Sequence, residues 1–108
     1  MPKPIHEPIF IANKLSWDVH VDGPHTTFWA SATTFKYALG LRPRAREDEK
    51  TAERLAKKNW AILELIGRDA LATGAVKTDA SKGWQVHHTI DDATFTRLFE
   101  KYEDQLVR

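Results

Sequence analysis

The pattern of apolar and polar residues predicts strands in the first third of the chain. A short apolar run, IFIA, occupies positions 9–12, and the next segment alternates apolar and polar residues from Leu15 to Val21. Alternation with a period of two is typical of a strand with one buried face, so the polar positions Ser16, Asp18 and His20 are expected on an exposed face. Asp22-Gly23 indicates a turn, and HTTFWAS at 25–31 has the composition of a returning strand. Together they predict a two- or three-stranded antiparallel meander.

The spacing of apolar residues becomes helical after Ser31. Ser31 or Thr33 can cap a short helix that ends at Gly40. The longest predicted helix begins in the acidic run at 47–49, where carboxylates favour a helix N-terminus, and continues to Gly74. Gly67 marks a point at which this helix could bend or end.

The last third predicts one or two strands and a C-terminal helix. AVKT and WQVHHTI form either a second hairpin around DASKG or a loop and one strand. Asp91 is the predicted N-cap of the helix, and Ile90 and Phe95 are spaced for a hydrophobic staple. The helix carries a continuous apolar stripe: Phe95, Leu98, Phe99, Tyr102 and Leu106.

The order of these elements predicts the α+β class. We expect a small antiparallel sheet packed on one face by a long central helix and a C-terminal helix. Residues 9–108 form a single predicted domain, and residues 1–8 a flexible lead-in. Most of the four tryptophans are expected to fill the core, because large rings remove much apolar area from water.

Composition narrows the classes of function. The formal net charge is +1, so the chain as a whole has no strong attraction for nucleic acid or anionic lipid. The chain has no cysteine, which excludes disulfides and thiolate chemistry. It also lacks a secretory signal pattern and an apolar run of membrane-spanning length. We therefore expect a cytoplasmic protein that does not bind a membrane.

The polar residues predict no catalytic or metal site. His87 and His88 are neighbours on a predicted strand, so they point to opposite faces and cannot chelate one ion together. The serines lie in no nucleophile elbow, and the glycine-rich phosphate loops are absent. The least favoured hypothesis is an enzyme with a site near Asp18, His20 and His88. No cofactor is expected.

The segment GLRPRAREDEK, at 40–50, is the main candidate for a binding surface. Arg42, Arg44 and Arg46 alternate around a proline, and arginine suits phosphate and carboxylate equally. One interpretation is a solvated connector whose charges are matched by the acidic run at 47–49. The other is a contact surface in which the arginines combine with an exposed aromatic residue, such as Trp29 or Tyr37.

Four segments resemble one family of small bacterial proteins. They are Trp17-Asp18 in the sheet, ASATTFKYALGL as strand into short helix, KKNWAILELIGRDALATG as the main helix, and GWQVHHTIDDATF as strand into helix cap. This pattern resembles the domain of unknown function 1488 family. The resemblance implies a compact α+β domain and brings no catalytic residues with it.

The leading functional hypothesis is a small non-enzymatic protein-interaction or regulatory module. Its partner would be another protein or a second copy of the chain. The alternative is a nucleic-acid-binding regulator that uses Arg42, Arg44 and Arg46.

Overall fold

The computed structural model describes residues 7–19, 25–42, 44–80 and 85–108, and its elements agree with the α+β class. The strands are β1 (Ile9–Ile11), β2 (Lys14–Val19), β3 (His25–Ser31), β4 (Lys77–Ala80) and β5 (Gln85–Thr89). The helices are α1 (Ala32–Ala38), α2 (Arg46–Lys58), α3 (Trp60–Thr73) and α4 (Asp92–Tyr102), and a 3₁₀ turn follows at Glu103–Gln105. None of the helices in the described part of the chain is both long and apolar enough to cross a membrane.

The strands form one mixed sheet in the order β1-β2-β3-β5-β4. Most neighbouring strands are antiparallel, but β3 and β5 run parallel, with Phe28 opposite His88. The prediction of an antiparallel sheet is therefore wrong for this central pair. Parallel neighbours need a long crossover connection, and α1, α2 and α3 lie in that connection.

The helices contact one face of the sheet, and this face forms the core. Trp17 of β2 stacks on Phe28 of β3 with ring centroids 5.9 Å apart, and its ring meets Phe95 of α4 edge-on at 6.1 Å. Phe35 of α1 also meets Phe95 edge-on at 6.1 Å. Such edge-to-face pairs stabilise beyond the area they bury. Apolar rings from both layers therefore hold α1 and α4 to the sheet.

Gly67 lets α3 approach the sheet closely and does not end the helix. A Cβ atom at this position would lie 2.8 Å from Val19 Cγ2 and 3.1 Å from the Phe28 ring. α3 continues through Gly67 to Thr73 and ends at Gly74, whose φ of 72° is left-handed. The predicted end at Gly74 is confirmed, and no break occurs at Gly67.

The predicted long central helix is interrupted at Asn59, between α2 and α3. The Asn59 side-chain amide donates to the carbonyls of Leu55 at 2.9 Å and Val107 at 2.7 Å. Its Oδ1 accepts from the Val107 N–H at 2.8 Å. Asn59 thus ties the end of the chain to the helix junction. The C-terminal helix is shorter than predicted, because α4 ends at Tyr102 and leaves Leu106 outside it.

The predicted helix caps are confirmed. The Ser31 hydroxyl accepts from the Thr34 N–H at 3.3 Å, and Gly40 has a φ of 77° after α1. Asp91 Oδ1 accepts from the Thr94 N–H at 2.7 Å, which satisfies a donor in the first turn of α4. This hydrogen bond holds the pKa of Asp91 below its ordinary value.

The C-terminal hairpin, one of the two alternatives, is present as the antiparallel pair β4–β5. Its connection at 81–84, the predicted Asp22-Gly23 turn and most of the predicted lead-in lie outside the described residues.

The polar face of β2 is more buried than the alternation predicts. Ser16 and Asp18 are each only 7 % exposed, so the expectation of an exposed face is wrong for them. Asp18 lies beside Thr27 of β3, whose hydroxyl donates to Asp18 Oδ1 at 2.9 Å.

The tryptophan prediction holds for one ring. Trp17 is 2 % exposed and lies in the core, whereas Trp29 and Trp60 are half-buried. Trp84 lies outside the described residues.

Candidate functional site

A depression of about 570 Å³ brings together two of the three predicted arginines and one of the two predicted aromatic residues. Its lining side chains are Asn13, Thr33, Tyr37, Arg42 and Arg44. We call it the Tyr37 depression, because Tyr37 is 68 % exposed at its edge. The prediction from sequence missed Asn13 and Thr33.

Two elements build the wall of the Tyr37 depression. Ala12 and Asn13 form the tight turn between β1 and β2, with left-handed φ values of 49° and 62°. The Asn13 carbonyl accepts from the Ala32 N–H at 3.1 Å, which fixes the turn against the start of α1. Thr33 and Tyr37 are four residues apart on α1, so they lie on the same side of the helix.

The connector between α1 and α2 supplies the arginines, and Asp48 holds Arg42 in place. The Arg42 backbone N–H donates to Asp48 Oδ2 at 2.8 Å, and Arg42 Nε donates to the same oxygen at 3.1 Å. Arg42 Nη2 lies 3.5 Å from Asp48 Oδ1. These interactions raise the pKa of Arg42 and lower the pKa of Asp48. Asp48 therefore occupies the Nε edge of the Arg42 guanidinium group.

The acidic run at 47–49 matches only part of the nearby positive charge. Glu47 Oε2 lies 3.6 Å from Arg42 Nη2, so Arg42 has two acidic partners. Glu49 Oε1 lies 3.6 Å from Nζ of Lys36, a side chain that is almost fully buried. Arg44 and Arg46 form no ion pair or side-chain hydrogen bond with any described residue.

The remaining predicted site residues, Arg46 and Trp29, do not line the Tyr37 depression. Arg46 is exposed as the first residue of α2 and is not part of its lining. Trp29 lies on the sheet face opposite the core, where it borders a smaller depression of about 290 Å³ with Lys14, His87 and Thr89. The sequence could not show this separation, because it depends on how α1 and the connector pack against the β1–β2 turn.

A hydrogen bond fixes the orientation of Trp29. Its Nε1–H donates to His87 Nδ1 at 2.9 Å, and the two ring centroids are 5.9 Å apart. An indole nitrogen can only donate, so His87 Nδ1 must be the unprotonated ring nitrogen. The polar tip of Trp29 is thus satisfied within the chain.

A groove between α1 and α4 adjoins the Tyr37 depression. It has a volume of about 640 Å³ and shares Tyr37 with the depression. Its other lining residues are Thr34, Ala38, Asp92, Ala93, Thr96, Arg97 and Glu100. Tyr37 therefore lies between this groove, which contains two acidic residues, and the Tyr37 depression, whose described lining contains none.

The two described residues of the enzyme hypothesis, Asp18 and His88, do not form one site. Asp18 lies on the same sheet face as Thr27, whereas His88 points to the opposite face, with its ring centroid 5.2 Å from that of Phe28. His20 lies outside the described residues.

His87 and His88 point to opposite faces, as the sequence predicts: His87 contacts Trp29, and His88 contacts Phe28. Burial, with a smaller contribution from His87, lowers the pKa of His88. Within the described ranges, no group of three or more histidine or acidic side chains is arranged to hold a metal ion.

Comparison with known proteins gives no relative for the chain. No protein-family model matches it, and neither does any curated protein or solved structure.

Proposed function

We propose that this chain is a non-enzymatic protein-interaction module with a regulatory role, and that the Tyr37 depression is its contact surface. The observation that carries the proposal is the position of Tyr37, a 68 % exposed aromatic ring, beside the exposed Arg44, which has no ion pair with any described residue. Tyrosine and arginine are enriched among the residues that contribute most to protein–protein binding.

The geometry around Tyr37 supports a protein partner. The depression lies next to a groove between two helices, and Tyr37 belongs to both, so the two offer a continuous contact area. Arg42 contributes as a rigid border, because Asp48 already binds its guanidinium group. Separation of Asp18 and His88 by the sheet supports the non-enzymatic part of the proposal.

Affinity capture from lysate tests the proposed surface. We expect the wild-type chain to retain a partner that the double variant Tyr37→Ala/Arg44→Ala loses. Arg54→Ala is the matched control, since Arg54 is exposed on α2 and its removal also deletes one positive charge. Thermal unfolding of each variant checks the fold. Equal capture by the double variant and the wild type contradicts the proposal, and so does the absence of any specifically captured protein.

A second copy of the chain is one form that the partner could take. Sedimentation equilibrium of the purified protein distinguishes it from a different partner. A self-associating wild type and a monomeric double variant would assign the Tyr37 depression to a homodimer.

The alternative function is nucleic-acid binding, which is favoured by Arg44 and Arg46, two cations with no ion pair in the part of the chain that the structure describes. Phosphate contacts weaken steeply with salt, so the test is a titration of duplex and single-stranded DNA and RNA at increasing salt. Binding at about 50 mM salt that is lost when Arg44 and Arg46 are replaced by alanine would favour this function. The absence of binding at that salt removes it.

Two further parts of the proposal concern origin and location. We propose kinship with the domain of unknown function 1488 family. The structure of a member of that family with the strand order β1-β2-β3-β5-β4 would support it. We also propose a cytoplasmic location, and cell fractionation with an antibody against the chain tests it.

A further inference from the structure

Around the α1–α2 connector, the acidic residues have basic partners, but one of the arginines has no acidic partner among the described residues. Asp48 and Glu47 both bind Arg42, and Glu49 lies within ion-pair distance of Lys36. Every acid of the run at 47–49 therefore has a basic partner already. Arg44 has no such partner among the described residues. One positive charge at the Tyr37 depression thus lacks a counter-charge.

Each residue that lines the Tyr37 depression has a side chain that can donate hydrogen bonds, and the side chains of Asn13, Thr33 and Tyr37 can also accept them. Asn13, Thr33 and Tyr37 supply an amide and two hydroxyl groups, and Arg42 and Arg44 supply guanidinium groups. No carboxylate of the described residues is part of this lining. A ligand that only accepts hydrogen bonds and carries negative charge is complementary to such a surface, whereas a cation is not.

The arrangement offers one strong anion-binding position. Asp48 already accepts from Nε and one terminal nitrogen of Arg42, so only the remaining terminal N–H groups of Arg42 are available to a ligand. Arg44 has its whole fork available for a bidentate contact, which suits a single carboxylate. Nucleic acid binds through several phosphate contacts in a row, and the acidic side chains of Glu47 and Asp48 beside Arg42 disfavour such a track.

The volume of the Tyr37 depression and the exposed Tyr37 ring indicate which other groups the ligand carries beside its carboxylate. Ligand pockets commonly measure from about 300 to 1,000 Å³, so the 570 Å³ of the depression fits a few side chains of a peptide. The exposed Tyr37 ring provides a flat apolar surface at the edge. An aromatic or aliphatic side chain next to the carboxylate would pack there.

We infer that the Tyr37 depression binds a short acidic peptide segment of a partner protein, with one Asp or Glu carboxylate on Arg44 and a neighbouring apolar side chain on Tyr37. This inference rests on the proposed function, because it specifies the chemistry of the proposed partner. Asn13 and Thr33 donate to the peptide carbonyls or to the second carboxylate oxygen.

Selection from a random peptide library displayed on phage tests the inference without knowledge of the partner. Wild-type protein is the bait, and the Arg44→Ala and Arg54→Ala variants are used as baits in parallel. Each variant loses one positive charge, so the two variants have the same net charge. We expect the selected peptides to carry Asp or Glu beside an aromatic or aliphatic residue. Synthetic copies should bind the Arg44→Ala variant at least about tenfold more weakly and the Arg54→Ala variant with unchanged affinity.

Three results would overturn the inference. They are selected peptides without an acidic preference, an acidic preference that persists on Arg44→Ala, and the absence of any selected peptide. Arg44→Lys, which keeps the charge but loses the fork, should fall between the wild type and Arg44→Ala. A partner captured through Tyr37 and Arg44 whose contact segment is not acidic would leave the proposed function intact and refute this inference alone.

Discussion

The Arg42 backbone N–H and the Arg42 guanidinium group both bind the same carboxylate oxygen of Asp48, at 2.8 and 3.1 Å. One acidic side chain thus closes the connector onto the first turn of α2. Arg44, two residues further on, is left to face solvent without an acidic partner among the described residues.

Asp48→Asn should weaken the connector in a pH-dependent way. The pKa of Asp48 is lowered in the folded chain, so its charge stabilises the fold above the ordinary aspartate pKa of 3.8. That stabilisation is lost as the pH falls through the lowered pKa. We expect a lower urea midpoint for the variant at pH 7 and a difference from wild type that shrinks in acid. Equal midpoints at pH 7 would show that the Arg42–Asp48 contact does not stabilise the fold.

Gly67→Ala should destabilise the protein although alanine favours helices by about 1 kcal/mol. The added methyl group would lie 2.8 Å from Val19 Cγ2, and overpacking of a core typically costs about 1–3 kcal/mol. Urea unfolding measures the free-energy change. Ala72→Gly, at an exposed position of α3, is the control in which only helix propensity changes. A Gly67→Ala variant more stable than the wild type would contradict the close packing of α3 on the sheet.

Asn59→Ala should release the C-terminus from the helix junction. The substitution removes two hydrogen bonds with the Val107 backbone and one with Leu55, and Asn59 is only 6 % exposed. Loss of partners for buried polar groups costs about 1–3 kcal/mol. We expect destabilisation of that order in urea and faster hydrogen exchange at the Val107 amide. Unchanged exchange at Val107 would argue against this anchor.

The buried His88 should make the fold sensitive to mild acid. Burial lowers the pKa of His88 below 6.5, so the unfolded chain takes up its proton at a higher pH than the folded chain. The stability contributed by neutral His88 is therefore present above about pH 6.5 and is lost as the pH falls from there through the lowered pKa. His88→Gln should flatten the dependence of unfolding free energy on pH between about 7 and 5. If the unfolding free energy of the variant changed with pH as steeply as that of the wild type, His88 would not be the source of the acid sensitivity.

The local structure of this chain could be predicted where neighbouring residues determine it. Ser31 and Asp91 are sequence signals for helix starts, and Gly40 and Gly74 for helix ends; these all lie where the pattern places them. A helix cap depends on groups within one turn of the helix, so the residues that form it are close together in the sequence and can be recognised there.

The features that the sequence did not reveal depend on tertiary contacts. The sequence pattern predicts strands at the positions of β3 and β5 but neither their pairing nor their relative direction, so their parallel arrangement was missed. Asn59 carries no local signal for a helix break, because its partner Val107 is 48 residues away. Asp18 is buried by its neighbours in the sheet, although it occupies a polar position of the pattern.

In the candidate site, too, neighbouring residues in the sequence could be predicted, whereas tertiary contacts could not. The sequence placed Arg42, Arg44 and Arg46 together, but only the structure separates them by their partners: Asp48 binds Arg42, whereas Arg44 lies beside Tyr37. Spacing cannot distinguish an arginine that is paired within the chain from one that is exposed. Asn13 joins the site through a turn that lies far from the connector in sequence.

The most direct measurement is the affinity of the captured partner for two variants that each lose one positive charge. Calorimetric titration of the purified partner into Arg44→Ala should show binding at least about tenfold weaker than wild type, a difference of about 1.4 kcal/mol. Titration into Arg54→Ala should give the wild-type value. If both variants bind equally well, Arg44 is not part of the contact, and the Tyr37 depression is not the docking surface of this protein.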